Sequence, residues 1–109
     1  MTTTTRITIF KGDEGTTLLV TVTEDGVAKD ISSATTKVVK FQKPVGAAVQ
    51  KDLTYVTDGT DGQAKYIFEA GLIDEVGKWV GQIYLELSAG KWHTATFEFT
   101  VSQVITVTP

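Results

Sequence analysis

Apolar and polar residues alternate along most of the chain with a period of two. In "HTATFEFTV", for example, Ala95, Phe97, Phe99 and Val101 fall on one face of an extended strand, with polar residues between them. This one-sided alternation is typical of strands in an antiparallel sheet that buries one face. The same pattern recurs in "TRITIF", "TTLLVTVT", "KVVKFQK", "AVQKDLTYV", "QAKYIFEA" and "WVGQIYLEL".

Turn signals separate these segments at short intervals. They are "EDG" at 24–26, "KPVG" at 43–46, "TDGTDG" at 57–62 and "SAG" at 88–90. The spacing predicts an all-β fold, an antiparallel two-sheet β-sandwich of about seven strands with immunoglobulin-like architecture. Residues 70–77, "AGLIDEVG", are the one helical candidate, for a single turn. We expect residues 1–109 to form one domain with strand-capable flanks at both ends.

The alternation also predicts the core. Trp79 shares the parity of the buried set, whereas Tyr84 and Trp92 are expected on the opposite, outer face. The predicted core residues are Ile9, Leu18, Val20, Val22, Val39, Phe41, Tyr66, Phe68, Trp79, Ile83, Leu85, Phe97, Phe99 and Val101.

Composition and charge exclude several classes of function. The chain has 109 residues, no cysteine, one histidine and a formal net charge of -3. Without cysteine there is no disulfide framework and no thiolate metal site. The negative net charge argues against a nucleic-acid binder, which needs a basic face to neutralise phosphates. The sequence has neither a signal-peptide pattern nor an apolar run long enough to cross a bilayer. We expect no nucleic-acid partner, no membrane partner and no cofactor.

The segment "FKGDEG" places two adjacent carboxylates, Asp13 and Glu14, between two glycines. Adjacent side chains of an extended chain point to opposite faces, so this pair is a poor chelator. Glycine supplies backbone angles that other residues avoid. The segment is therefore interpreted as a structural corner set by Gly12, Asp13 and Gly15. Gly12 or Gly15 should have a positive φ, and Asp13 should accept backbone hydrogen bonds.

Other candidates for chemistry are equally isolated. Asp58 and Asp61 in "DGTDG" lack the ligand alternation and terminal glutamate of an EF-hand loop, because Glu69 falls within a predicted strand. His93 has no nucleophile or orienting carboxylate at motif spacing. We therefore predict no catalytic residue, no metal site and no enzyme activity.

Exposed aromatic and flanking residues favour an interaction role. Tyr84, Trp92 and His93 are candidates for a protein interface, with carbohydrate stacking as the alternative. Val104 and Ile105 lie in the flank "SQVITVTP", which can pair with a neighbouring subunit by strand addition.

Three segments resemble the N-terminal domain of phage baseplate upper proteins. They are residues 7–32, "ITIFKGDEGTTLLVTVTEDGVAKDIS", with its Gly-Asp corner and "DGVAKDI" segment, then "DGQAKYIF", and then "EVGKWVGQIYLEL" followed by "TATFEFTV". The resemblance extends over about residues 7–101. The family's larger members carry further helical and receptor-binding parts beyond the domain that this sequence resembles.

The resemblance implies a non-enzymatic virion component of the tail or baseplate. Such a component binds other virion proteins, assembles as a symmetric homo-oligomer and is built in the host cytoplasm. A capsid decoration protein and a carbohydrate-binding adhesion domain are the alternative functions, and a glycan is accordingly the alternative partner.

Overall fold

The computed structural model describes residues 2–4 and 7–105, which form eleven strands. No helix that could span a membrane occurs among these residues. The strands are β1 (Thr2–Thr4), β2 (Ile9–Phe10), β3 (Thr17–Glu24), β4 (Val27–Ala28), β5 (Thr36–Gln42), β6 (Ala48–Asp52), β7 (Thr54–Tyr55), β8 (Gln63–Ile67), β9 (Gly77–Leu87), β10 (Gly90–His93) and β11 (Phe97–Ser102).

The strands form two facing sheets. Sheet A has the order β1-β3-β8-β7, with β4 against the end of β3. Sheet B has the order β2-β11-β9-β5-β6, with β10 against β9. The β2–β11 pair is parallel and the other described pairs are antiparallel. The predicted all-β two-sheet sandwich is confirmed. Seven of the strands have four or more residues, which matches the predicted number of about seven. The other four strands have two or three residues each and raise the number to eleven.

An aromatic cluster fills the space between the sheets. The Trp79 ring stacks on Phe99 at 5.9 Å, and Phe41 lies edge-on to both rings. The indole N–H of Trp79 donates to the Glu75 carbonyl oxygen at 3.0 Å, which satisfies the one polar atom that this side chain buries. All the predicted core residues are buried except Tyr66, which is half-buried at the rim of the core.

Further buried residues come from segments without a clear alternation. Leu72 and Ile73 belong to the segment predicted as a helical turn, and this prediction was wrong. Residues 70–72 form a hydrogen-bonded turn in which the Leu72 N–H donates to the Glu69 carbonyl oxygen at 3.3 Å. The turn folds two apolar side chains under the end of the sandwich. The additional buried residues are Ile31, Val38, Leu53, Ala64, Leu72, Ile73 and Thr94.

The hairpin turns have the predicted chemistry. Asp25 and Gly26 link β3 to β4 with φ of 52° and 79°. Two consecutive positive φ angles are typical of the type I′ turn that Asp-Gly favours. This turn fixes the end of β3 and therefore the register of the β3–β4 pair.

A bulge interrupts the edge of β9 between β10 and β11. The Thr94 N–H donates to the Ile83 carbonyl oxygen at 2.9 Å, and the Ile83 N–H donates to Thr94 Oγ1 at 3.1 Å. The hydroxyl thus takes the place of a backbone carbonyl in the ladder. The extra residue reverses the alternation, so that Thr94 is buried and Ala95 is exposed, opposite to the sequence prediction.

Candidate interaction surfaces

The corner that links the two sheets is held by backbone hydrogen bonds. Gly12 and Gly15 have φ of 89° and 83°, in the left-handed region that favours glycine. Asp13 Oδ2 accepts a hydrogen bond from the Phe10 N–H at 3.0 Å. The Gly12 N–H donates to the Ile73 carbonyl oxygen and the Gly15 N–H to that of Phe68, at 2.8 and 2.7 Å. One Asp13 oxygen is thus engaged by the corner's own backbone.

An apolar recess lies beside this corner, and the last described residues of the chain form part of its wall. It has a volume of about 350 Å³ and is lined by Phe10, Asp13, Gln103, Val104 and Ile105. Phe10 is 41% exposed and Ile105 is 87% exposed. The parallel pairing of β2 with β11 brings these distant segments together. Val104 and Ile105 are interface candidates from the sequence, whereas the sequence gives no such signal for Phe10.

The predicted flanks are described only in part. At the N-terminus, Thr2–Thr4 form β1 and pair with residues 21–23 of β3. At the C-terminus, β11 ends at Ser102, and residues 103–105 continue without strand pairing. Residues 1, 5, 6 and 106–109 lie outside the described part, so strand addition by the last four residues stays a prediction.

Tyr84 and His93 lie together on the outer face of sheet B, where they pair across β9 and β10. Their ring centroids are 4.8 Å apart. Lys40 lies over the Tyr84 ring at 5.1 Å, and its Nζ is 3.2 Å from His93 Nε2. The Tyr84 hydroxyl donates to Glu86 Oε1 at 2.7 Å, and this hydrogen bond raises the pKa of Tyr84 and lowers that of Glu86. Both aromatic groups therefore already have partners within the sheet.

Trp92 lies apart from this pair, contrary to the sequence prediction. In the β9–β10 register Trp92 pairs with buried Leu85, so its side chain is on the inner side of sheet B. It packs over Gly90 at the end of the sandwich, and Lys29 Nζ is 5.9 Å from its ring. The bulge at Thr94 causes the difference by shifting the alternation by one residue. Tyr84 and Trp92 thus do not form a joint platform for a sugar ring.

The aspartates of the double Asp-Gly turn serve the turn itself. Asp58 Oδ1 accepts hydrogen bonds from the N–H and the hydroxyl of Thr60, which lower the pKa of Asp58. Asp61 Oδ1 accepts from the Gln63 N–H at 3.0 Å. Within residues 2–4 and 7–105, no group of three or more His, Asp or Glu residues is arranged to hold a metal ion.

The outer face of sheet A was not identified from the sequence. Leu19 and Ile67 are 44% and 52% exposed there, on the adjacent strands β3 and β8. Lys65 lies between Leu19 on β3 and Thr54 on β7 in one cross-strand row. The alternation in "TTLLVTVT" places Leu19 on the outer face, among threonines. An outward leucine in this position is the sequence signal for an exposed apolar site on sheet A.

Comparisons with known proteins agree with the fold and identify the family. A search of curated proteins finds no match. The crystal structure of CopC from Methylosinus trichosporium OB3b is similar, with a TM-score of 0.58 at 12% identity, over 97% of this chain and 99% of that chain. At this identity the similarity concerns the fold alone. The family model of the BppU N-terminal domain matches residues 2–108, nearly the whole chain. The resemblance seen in the sequence is confirmed, and the chain belongs to the family of N-terminal domains of phage baseplate upper proteins.

Proposed function

We propose that this chain is a non-enzymatic structural module of a phage baseplate and acts through protein–protein contacts. The observation that carries the proposal is the match of residues 2–108 to a baseplate domain family. The partners are other virion proteins and further copies of the chain in a symmetric homo-oligomer. The module is made in the host cytoplasm and incorporated into the particle there.

The surroundings of the candidate catalytic groups support a structural role. Asp13, Asp58 and Asp61 accept hydrogen bonds from the N–H groups of their own turns. His93 lies against Lys40 and Tyr84 rather than beside a hydroxyl nucleophile. These side chains stabilise loops and a sheet surface. A catalytic group would instead need a partner that activates it and a cleft in which substrate is held.

The exposed recess beside the corner supports a docking role. Phe10, Val104 and Ile105 bring three large apolar side chains to one exposed site. Clustered apolar side chains of this kind are found at protein interaction sites. The recess therefore belongs to the surface that we expect other virion proteins to cover, together with the predicted interface residues Tyr84 and His93.

The test is to locate the chain in the particle. The gene is deleted from the phage genome and supplied in trans with an epitope tag in the turn at residues 88–90. Purified particles are then examined by immunogold electron microscopy and quantitative mass spectrometry. We expect label at the tail tip, and deletion should yield particles with incomplete baseplates. Label on the head would instead identify a capsid decoration protein. Particles that are intact and carry no gold label would refute a virion role.

A further inference from the structure

The two outer faces of the sandwich differ sharply in charge. The outward residues of sheet B include both signs, and Lys78–Glu98 and Lys91–Glu86 form ion pairs across neighbouring strands. This is the composition of a solvated face. The outward residues of β3, β7 and β8 in sheet A have one charge among them and no carboxylate. These residues, named here the sheet A face, are Thr17, Leu19, Thr21, Thr23, Thr54, Gln63, Lys65 and Ile67.

Lys65 is at the centre of this face and differs from most lysines of the chain. Seven of the nine lysines have an ion pair or an aromatic partner. Lys65 has neither among the residues that the structure describes, and its neighbours in the row are Leu19 and Thr54. A cation on an apolar, threonine-rich surface attracts a carboxylate from a partner, because no acidic side chain of its own face competes.

The rest of the face suits docking. Leu19 and Ile67 are diagonal neighbours across β3 and β8 and are about half exposed. Threonine is β-branched and has few rotamers in a strand, so covering it costs little side-chain entropy. We propose that the sheet A face is a docking surface for a different virion protein, which presents a flat, mainly uncharged surface with a carboxylate opposite Lys65. This inference rests on the proposed function.

The charge of the face favours such a partner over a second copy, because a two-fold pairing would bring the central Lys65 side chains of the two copies together. The face is also small. Five residues of β8 and three strand spacings give roughly 17 Å by 14 Å, or about 240 Å². A stable, specific pair of proteins buries about 800 Å² on each side. A free dimer through this face alone is therefore weak. In a baseplate, where a protein is repeated and several contacts form together, a contact of this size contributes through avidity.

The test compares incorporation of variants into particles. A phage deleted for the gene is complemented with the wild-type chain, Lys65→Glu, Ile67→Thr or Lys78→Glu, and copies per purified particle are counted by mass spectrometry. Lys78→Glu is the matched control, because it makes the same charge change on the outer face of sheet B. Thermal unfolding of each purified chain checks that the variants fold. Ile67→Thr keeps strand propensity and the charge, and it provides a second variant if Lys65→Glu folds poorly.

We expect Lys65→Glu to reduce incorporation at least 10-fold and Ile67→Thr several-fold, with Lys78→Glu unchanged. Equal incorporation of all four chains would overturn the inference while the proposed function stands. An equal loss with Lys65→Glu and Lys78→Glu would also overturn it, because net charge alone would then explain the loss. Absence of the wild-type chain from particles would refute the proposed function and this inference with it. The purified wild-type and Lys65→Glu chains are also compared by sedimentation. If the wild-type chain is an oligomer and the Lys65→Glu chain is a monomer, the occupant of the face is a second copy and a different partner is refuted.

Discussion

Gly81 and Phe97 form a contact in the core that leaves no room for a larger residue at position 81. They lie opposite each other on β9 and β11, and Phe41 occupies the same row from β5. A Cβ atom at position 81 would lie 2.3 Å from Phe97 Cζ and 2.6 Å from Cε2. These distances are far below van der Waals contact. The ring of Phe97 therefore occupies the space that any other residue at position 81 would need.

The cost of Gly81→Ala follows from two opposing effects. Overpacking a core typically costs about 1–3 kcal/mol, because the ring must leave its site. Replacing a glycine within a strand returns about 0.5–1 kcal/mol, because glycine loses more backbone entropy on folding. The overpacking term prevails, and we expect a net loss of about 1.5 kcal/mol. For a chain of this length this lowers Tm by about 6–7 °C.

A double-mutant cycle separates this contact from a general effect of the substitution. Gly81→Ala, Phe97→Leu and the double variant are compared by urea unfolding at equilibrium. Leucine lacks the ring atoms that the new Cβ meets. Phe97→Leu should therefore lower the free energy of unfolding by about 1 kcal/mol less in the Gly81→Ala chain than in the wild-type chain. Additive costs, or a Gly81→Ala chain as stable as the wild type, would refute the steric explanation.

Three further predictions concern the corner, the bulge and the rim of the core. Gly12→Ala should cost about 1 kcal/mol in urea unfolding and Gly12→Asn less, because asparagine tolerates positive φ; equal costs would contradict backbone strain. Thr94→Val should cost about 1–3 kcal/mol by leaving the Ile83 N–H without an acceptor, whereas Thr94→Ser should retain most of the stability; a Thr94→Val chain as stable as Thr94→Ser would contradict the role of the hydroxyl. Burial, followed by the hydrogen bond to Glu69, raises the pKa of Tyr66 from 10.0 to about 12. The contribution of Tyr66 to the free energy of unfolding is therefore complete below pH 10 and is lost as the pH rises toward 12. Urea unfolding at pH 9 and 11.5 should show a smaller decrease for Tyr66→Phe than for the wild type, and parallel decreases would contradict this.

Alternation predicted the core well where strands are regular. Phe41, Trp79 and Phe99 belong to uninterrupted period-two segments, and their inward direction follows from parity alone. Parity failed at Thr94 and Trp92 for one reason. A bulge adds a residue without changing local composition, so the phase of the alternation N-terminal to it is wrong by one.

The candidate surfaces were less predictable because they depend on long-range pairing. Val104 and Ile105 were visible as apolar residues in a flank, but their position around one recess with Phe10 requires the parallel pairing of β2 with β11. Parallel pairing of short edge strands leaves no turn signal in the sequence. The sheet A face likewise required the register that places Lys65 beside Leu19.

The parallel pair of β2 and β11 also determines how the sandwich bears mechanical load. Thr2 pairs with Thr23 near the β3–β4 turn, whereas Ile9 and Phe10 pair with Val101 and Ser102 at the opposite end. The described chain therefore enters at one end of the sandwich and leaves at the other. A pull on the two ends of the described chain is directed along the strands and loads the β1–β3 pair as well as the β2–β11 pair. The hydrogen bonds within each pair are therefore stressed in shear together rather than opened one after another. An element that transmits tension along its strands resists it best in this arrangement.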